Sequence, residues 1–347
     1  MDLSAFKDPA LAKGLIHSID SWAPEQATLM EVCGTHTVAI ARNGLRDLMP
    51  NDTKLVSGPG CPVCVTSNED IDTVIALARI PNVMIATFGD MTRVPGSTSS
   101  LLKEQAEGRS INIVYSPLDA LKLAQEHPDK EIVFVGVGFE TTTPLVAMAI
   151  KRAQALGLKN FSVFVAHKNM PNALEVIVSD PELKIDALIL PGHVSTIIGT
   201  KPGVITGFEP VDVLQGIAMI MRQLHEGRAE IEIAYSRGVM REGNPVALAA
   251  IDEVFDTVDA TWRGLGVIPG SGYAIREEFE DFDAGKRFHP EVEPTQNPKG
   301  CRCGDVLRGI MAPDECPLFR KVCTPENPVG PCMVSSEGSC AAYYRYY

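Results

Sequence analysis

The sequence has no apolar run near the ~18 residues that a bilayer-spanning helix requires. Its longest apolar stretches, near 74–88 and 187–198, are broken by Arg79, Pro81, Pro191 and His193. The opening segment MDLSAFKDPALAKGL lacks the extended apolar core of an export signal, so a soluble, cytoplasmic chain is expected. Positive charge is also scarce. Against 44 Asp and Glu stand 31 Lys and Arg, and the formal net charge of −13 argues against nucleic acid or anionic membrane as the main partner. No P-loop is present, and Gly136-Val137-Gly138 lacks the third glycine of a dinucleotide fingerprint, which excludes a Rossmann reading.

What is present is ample core material. The chain has 347 residues, 45% of them hydrophobic and 22% charged, enough for two or three domains. Short continuous apolar runs at 28–32, 54–57, 83–87, 111–115, 132–135, 161–166, 187–190 and 204–206 read as strands buried on both faces of parallel sheets. Helix-period segments alternate with them. Ser67 and Asp70 form a capping-box pattern, and Thr143-Pro144 opens a helix that Gly157 ends. The expected class is α/β, with two parallel-sheet α/β domains (1–115 and 116–230) and a smaller, cysteine-rich C-terminal domain (231–347). That last part should hold a strand at 231–235, a helix at 245–255, a glycine-rich turn at 264–272 and an acidic, solvated run at 277–283.

In open parallel sheets, ligands bind beyond the carboxyl ends of the strands. Several chemically loaded motifs fall there. Glu31-Val32-Cys33-Gly34-Thr35-His36-Thr37 puts a thiol and an imidazole three residues apart at a turn, where they can share a metal or a proton; the plainer reading is a structural cysteine beside a capping threonine. Gly58-Pro59-Gly60-Cys61-Pro62-Val63-Cys64 supplies a C-x-x-C, which closes a small disulfide or clips a metal. Because the next helix cap is at Ser67, helix-dipole activation of that pair should be weak. Glu140 in Gly138-Phe139-Glu140-Thr141-Thr142 reads as a general acid or base, or as a second cap. His193 in Pro191-Gly192-His193-Val194-Ser195 is a further strand-end candidate, with His167 and Lys168 weaker ones.

Six of the nine cysteines crowd the last forty-odd residues, a Pro- and Gly-rich stretch that apolar burial alone should not hold. Without an export signal, metal ligation or redox chemistry is favoured over structural disulfides. No C-x₂-C knuckle occurs there. Cys303, Cys316, Cys323 and Cys340 leave intervals of twelve, six and sixteen residues, which suits an iron–sulfur cluster with zinc as competitor, but six cysteines allow several quartets.

Together, EVCGTHT (31–37), GPGCPVC (58–64), GFETT (138–142), PGHVS (191–195) and the tail ending CMVSSEGSC (332–340) resemble the hydrogenase maturation factor HypD family over essentially the whole chain. Val38 departs from members with a histidine after the first block. The resemblance implies a scaffold on which the Fe(CN)₂CO unit of [NiFe]-hydrogenase is assembled with the chaperone HypC, cyanide arriving through HypE from HypF. It implies that Cys33 binds that iron with His36 as a helper, and that Cys61 and Cys64 are a redox dithiol. It also implies a [4Fe-4S] cluster on Cys303, Cys316, Cys323 and Cys340. Cys301 and Cys332 are then left as a second thiol pair, an arrangement similar to ferredoxin:thioredoxin reductase. Glu140 and His193 would hydrogen-bond cyanide nitrogens or move protons. Two competing readings are a cytoplasmic disulfide oxidoreductase using Cys61/Cys64 with an iron–sulfur cluster, and a structural metalloprotein acting as a partner platform.

Overall fold

The computed structural model describes residues 8–191, 203–236, 239 and 243–347. The apolar runs become strands of two parallel sheets. The first contains β1 (Gln26–Glu31), β2 (Asp52–Ser57), β7 (Ala187–Pro191), β8 (Gly203–Thr206) and β9 (Ile231–Ile233), in the order β2-β1-β7-β8-β9. The second contains β3 (Val83–Thr87), β4 (Ser110–Ile113), β5 (Glu131–Gly136) and β6 (Phe161–Val165), in the order β4-β3-β5-β6. Every residue of β3 and of β7 is buried, as continuous apolar strands covered on both faces require.

The sheets are interleaved in the chain rather than consecutive. β1 pairs directly with β7, Leu29 opposite Ala187, so the whole second sheet lies between two neighbouring strands of the first. The expected boundary at 115/116 falls between β4 and β5, which both pair with β3. Local patterning specifies a strand but not its partner, and this pairing spans more than 150 residues.

The expected helix signals are in place. Ser67 and Asp70 form a reciprocal capping box on the helix Asn68–Arg79, and the helix Thr143–Ala155 is followed by Gly157 at φ 65°. Two expectations in the third part change. The stretch 264–272 is mostly strand: β10 (Phe255–Trp262) and β11 (Gly266–Ile275) form an antiparallel hairpin whose turn lies at 263–265, with Gly264 at φ 79°. The acidic run is a 3₁₀ turn whose Glu and Asp side chains face water while Phe279 and Phe282 are buried, Phe282 beside Phe161. Its apolar half was hidden by the charges around it.

The cysteine-rich tail shares a core with the first sheet. Leu307, Phe319 and Met333 pack in one apolar cluster with Met30, Val32, Leu188 and Leu190. Burying each such side chain contributes about 2 kcal/mol, so the tail has apolar support in addition to its thiols. Its last helix, Ser339–Tyr346, lies on the helix Gly34–Arg42. The Arg46 guanidinium sits 4.9 Å from the Tyr343 ring centroid and 5.6 Å from that of Tyr347. Among the described residues no helix is long and apolar enough to cross a membrane.

Candidate functional site

Adjacent parallel strands deliver the first two motifs to the same place. β1 and β2 run in register from Gln26/Asp52 to Glu31/Ser57, and beyond their carboxyl ends lie Cys33 and the Gly58–Cys64 loop. The loop folds onto the Cys33 turn: Gly58 N donates to the Glu31 carbonyl (2.7 Å) and Gly34 N to the Gly60 carbonyl (3.1 Å). A Cβ on Gly60 would collide with the Cys33 backbone, so only glycine permits this approach.

Cys33 is the N-cap of the helix Gly34–Arg42 and is 9% exposed. Burial pushes its thiol up to about 11, against the backbone N–H groups of Thr35 and His36, and the carboxylates of Glu337 and Glu31 add to the rise. Glu31 is fully buried; its carboxyl is pushed up to about 7 by desolvation, while the hydrogen bond from Thr37 opposes the shift. Its Oε1 accepts from Thr37 Oγ1 at 2.6 Å and its Oε2 from Cys33 N at 3.3 Å. Cys33 is thus a neutral thiol at neutral pH, and a soft cation that displaces its proton gains a thiolate with helix amides already aimed at it.

His36 is fully buried and occupied elsewhere. Its Nε2 lies 2.8 Å from the Gly207 carbonyl and 3.2 Å from Thr206 Oγ1, and its ring stands 4.7 Å from that of Phe208. It therefore ties the Cys33 helix to the end of β8. Cys61 and Cys64 form a disulfide. Contrary to the sequence expectation, this pair does open a helical turn: Cys61 caps Pro62–Val65, its Sγ accepting from Cys64 N at 3.2 Å.

The tail covers Cys33. Glu337 accepts from Thr35 Oγ1 at 2.9 Å and packs on Gly34 so closely that a Cβ there would strike it. The same segment reaches the second sheet, where Ser336 N donates to Asp90 (3.4 Å) and Arg93 to the Val334 carbonyl (3.2 Å). Sequence reasoning missed Glu31, Asp90 and Glu337 as members of this site. Glu31 and Glu337 lay inside quoted motifs, but acidic residues in them carried no spacing signal.

Glu140 caps another element. Its Oε1 accepts from Met170 N (2.7 Å) at the start of the helix Met170–Ser179, and burial raises its carboxyl. Its Oε2 is buried without a hydrogen-bond partner among the described residues. That contact joins it to Met170 rather than to the Cys33 turn. His193 lies outside the described residues. His167 is buried beneath Gly136 and Gly138 and pushed down to about 3 by desolvation and by Lys168, whose own Nζ meets Asp70 at 3.2 Å.

All six tail cysteines line one cavity, together with Val306, Phe319 and Met333. Cys303 and Cys332 are in sulfur–sulfur contact at 2.7 Å, and both are buried. The expectation had placed Cys303 among the cluster ligands and paired Cys332 with Cys301; in the structure the contact with Cys332 is made by Cys303. Cys303 opens the helix Cys303–Leu307, whereas Cys301 precedes it. Hydrogen bonds from Cys301 and Cys332, reinforced by Arg263, hold the Cys303 thiol well below its ordinary range. The same contacts push Cys301 and Cys332 up. Among the described residues no three His, Cys, Asp or Glu converge as ligands of a single metal ion. A wall of soft thiols around a shared space is a donor set that fits an iron–sulfur cluster.

The fold and site define an α/β protein whose strand ends gather a buried thiol, a disulfide and a cysteine-lined cavity. A family model described as "HypD: Hydrogenase formation hypA family" matches residues 10–347. The hydrogenase maturation factor HypD of Azotobacter vinelandii is 48% identical, covering 98% of this chain and 95% of the relative. Those of Rhodobacter capsulatus (45%; 99% and 97%) and Cupriavidus necator (44%; 99% and 96%) are similar over the same extent. The chain belongs to the HypD family, and its role lies in hydrogenase maturation.

Proposed function

We propose that this protein is a cytoplasmic scaffold and redox protein on which the Fe(CN)₂CO group of [NiFe]-hydrogenase is assembled. Cys33 supplies the thiolate for the iron being worked on, a cysteine of the chaperone HypC supplies a second, and cyanide is delivered by HypE after its synthesis on HypF. The observation that carries this reading is the enclosure of Cys33 between the Gly60 backbone and Glu337, beside the Cys61–Cys64 disulfide. A soft thiolate in a buried pocket suits low-spin iron with strong-field diatomic ligands.

The 2.7 Å contact supports a revised division of the tail: Cys303 and Cys332 as the redox pair, and Cys301, Cys316, Cys323 and Cys340 as ligands of a [4Fe-4S] cluster. When bound, the cluster supplies low-potential electrons one at a time. The chain's own thiols store them in pairs. Cys303/Cys332 and Cys61/Cys64 belong to one apolar cluster, and the turn Pro62–Val65 packs against the turn Pro331–Val334. Those two dithiols also support a second reading, a general disulfide oxidoreductase. Reduction of an unrelated protein disulfide by the purified chain, lost in Cys61→Ser, would favour it. Loss of hydrogenase maturation alone favours the scaffold.

A further inference from the structure

The turn that lies over Cys33 has no apolar side chain of its own. Ser335, Ser336, Glu337 and Gly338 stand between two anchored stretches. Before them, Met333 is buried in the apolar cluster of the first sheet and Val334 in that of the second; after them, Cys340 and Ala342 are buried in the helix Ser339–Tyr346. The four residues close on themselves, Gly338 N donating to the Ser335 carbonyl at 3.0 Å and Glu337 N to Ser335 Oγ at 3.2 Å. They can therefore swing as one unit. What holds the unit down is polar and comes from both sheets. Glu337 accepts from the Thr35 hydroxyl (2.9 Å), two residues after Cys33, and Ser336 N donates to Asp90 (3.4 Å), just beyond the end of β3. The first bond is part-buried and the second exposed. A segment held by a few solvent-reached hydrogen bonds, without apolar burial, opens at far lower cost than the core around it.

We propose that Ser335–Gly338 is a lid over Cys33. It opens to admit iron and the ligands added to it, and closes by docking Glu337 on Thr35 and Ser336 on Asp90. This rests on the reading of Cys33 as the thiolate of the iron under assembly. In the closed state Cys33 is 9% exposed, with Gly60 packed on its backbone and Glu337 packed on Gly34 beside it. The Gly60 contact lies between two strand ends of one sheet, whereas the Glu337 contact is made by the unanchored turn. Opening on the Glu337 side is thus the motion that breaks least. The Arg93 guanidinium, 3.2 Å from the Val334 carbonyl, fixes the hinge at the start of the lid. At the far end Gly338 rests on the Cys332 carbonyl, where a Cβ would collide, so the lid is seated on the cysteine-rich tail itself.

The test measures access to the sulfur. The full, cluster-bearing chain, isolated without its partner, is treated anaerobically with iodoacetamide or with a neutral iodoacetamide carrying a fused aromatic group. Modification of Cys33 is followed by peptide mass spectrometry. The small reagent enters past a closed lid more readily than the bulky one, so wild type should react with the bulky reagent at least tenfold more slowly than an unfolded control corrected for the small reagent's rate. Thr35→Val keeps the shape and the helix but removes the donor to Glu337. It should speed the bulky reagent about tenfold, the worth of one hydrogen bond to a charged group, and the small reagent less than threefold. Asp90→Ala should speed the bulky reagent about threefold, and the double variant about thirtyfold, because both bonds hold the same closed state. A changed reactivity of the thiol itself would alter both reagents by one factor. Equal factors for the two reagents in Thr35→Val, or no change in either, would overturn the proposal. Should Thr35→Val not accumulate, Asp90→Ala and wild type decide: an unchanged bulky rate in the first, or no size dependence in the second, overturns it. Alkylation reads access to the sulfur and infrared bands read the iron, so the lid and the Cys33 reading fail on different measurements.

Discussion

The sulfur atoms of Cys303 and Cys332 lie 2.7 Å apart and both residues are buried, whereas Cys301, two residues before Cys303, is half-buried. The proposed function takes this contact as dividing the six cysteines into a redox pair and a ligand quartet. It predicts that Cys332→Ala and Cys303→Ala retain about four irons per chain after anaerobic purification. Cys301→Ala should lose them. Iron analysis decides, and retention in Cys301→Ala with loss in Cys303→Ala would restore the division implied by sequence resemblance.

Glu31 makes stability depend on pH. Its folded carboxyl sits at about 7 against an ordinary 4.5, so between those values the folded chain binds a proton that the unfolded chain has released. Stability from this group is fully present below 4.5 and declines as pH rises through 7. Glu31→Gln removes the decline. Relative to wild type it should gain up to roughly 3 kcal/mol between pH 4.5 and 8, measured by urea denaturation at several pH values. A difference that does not change with pH would contradict the buried-carboxyl account.

Gly60→Ala tests the contact between the first two motifs. The new methyl meets the Cys33 backbone, which cannot rotate out of the way. The expected cost is about 2–3 kcal/mol, seen as a lower Tm, together with impaired maturation. An unchanged Tm would mean that the two loops are not in contact.

Much of the fold was legible because the determinants were local. Eight apolar runs became strands, and Ser67 with Asp70 capped the helix they foreshadowed. The general rule that sites lie beyond parallel strand ends placed Cys33 and Cys61 correctly beside each other. What was illegible depended on distant parts of the chain. The pairing of Leu29 with Ala187 is set by sheet assembly, not by either segment. Glu337 meets Gly34 across some three hundred residues. A C-x-C also does not reveal which thiol faces which neighbour, since that depends on the helix starting at Cys303. The partner of His36 was hidden for a similar reason, because Gly207 is remote in sequence.

The central claim is that Cys33 holds the iron under assembly. Infrared spectroscopy of the protein isolated with its HypC partner tests it most directly. Wild type should show cyanide and carbonyl stretching bands, and Cys33→Ala should lose them while keeping the visible absorbance of its cluster. Bands that persist in Cys33→Ala would contradict the account.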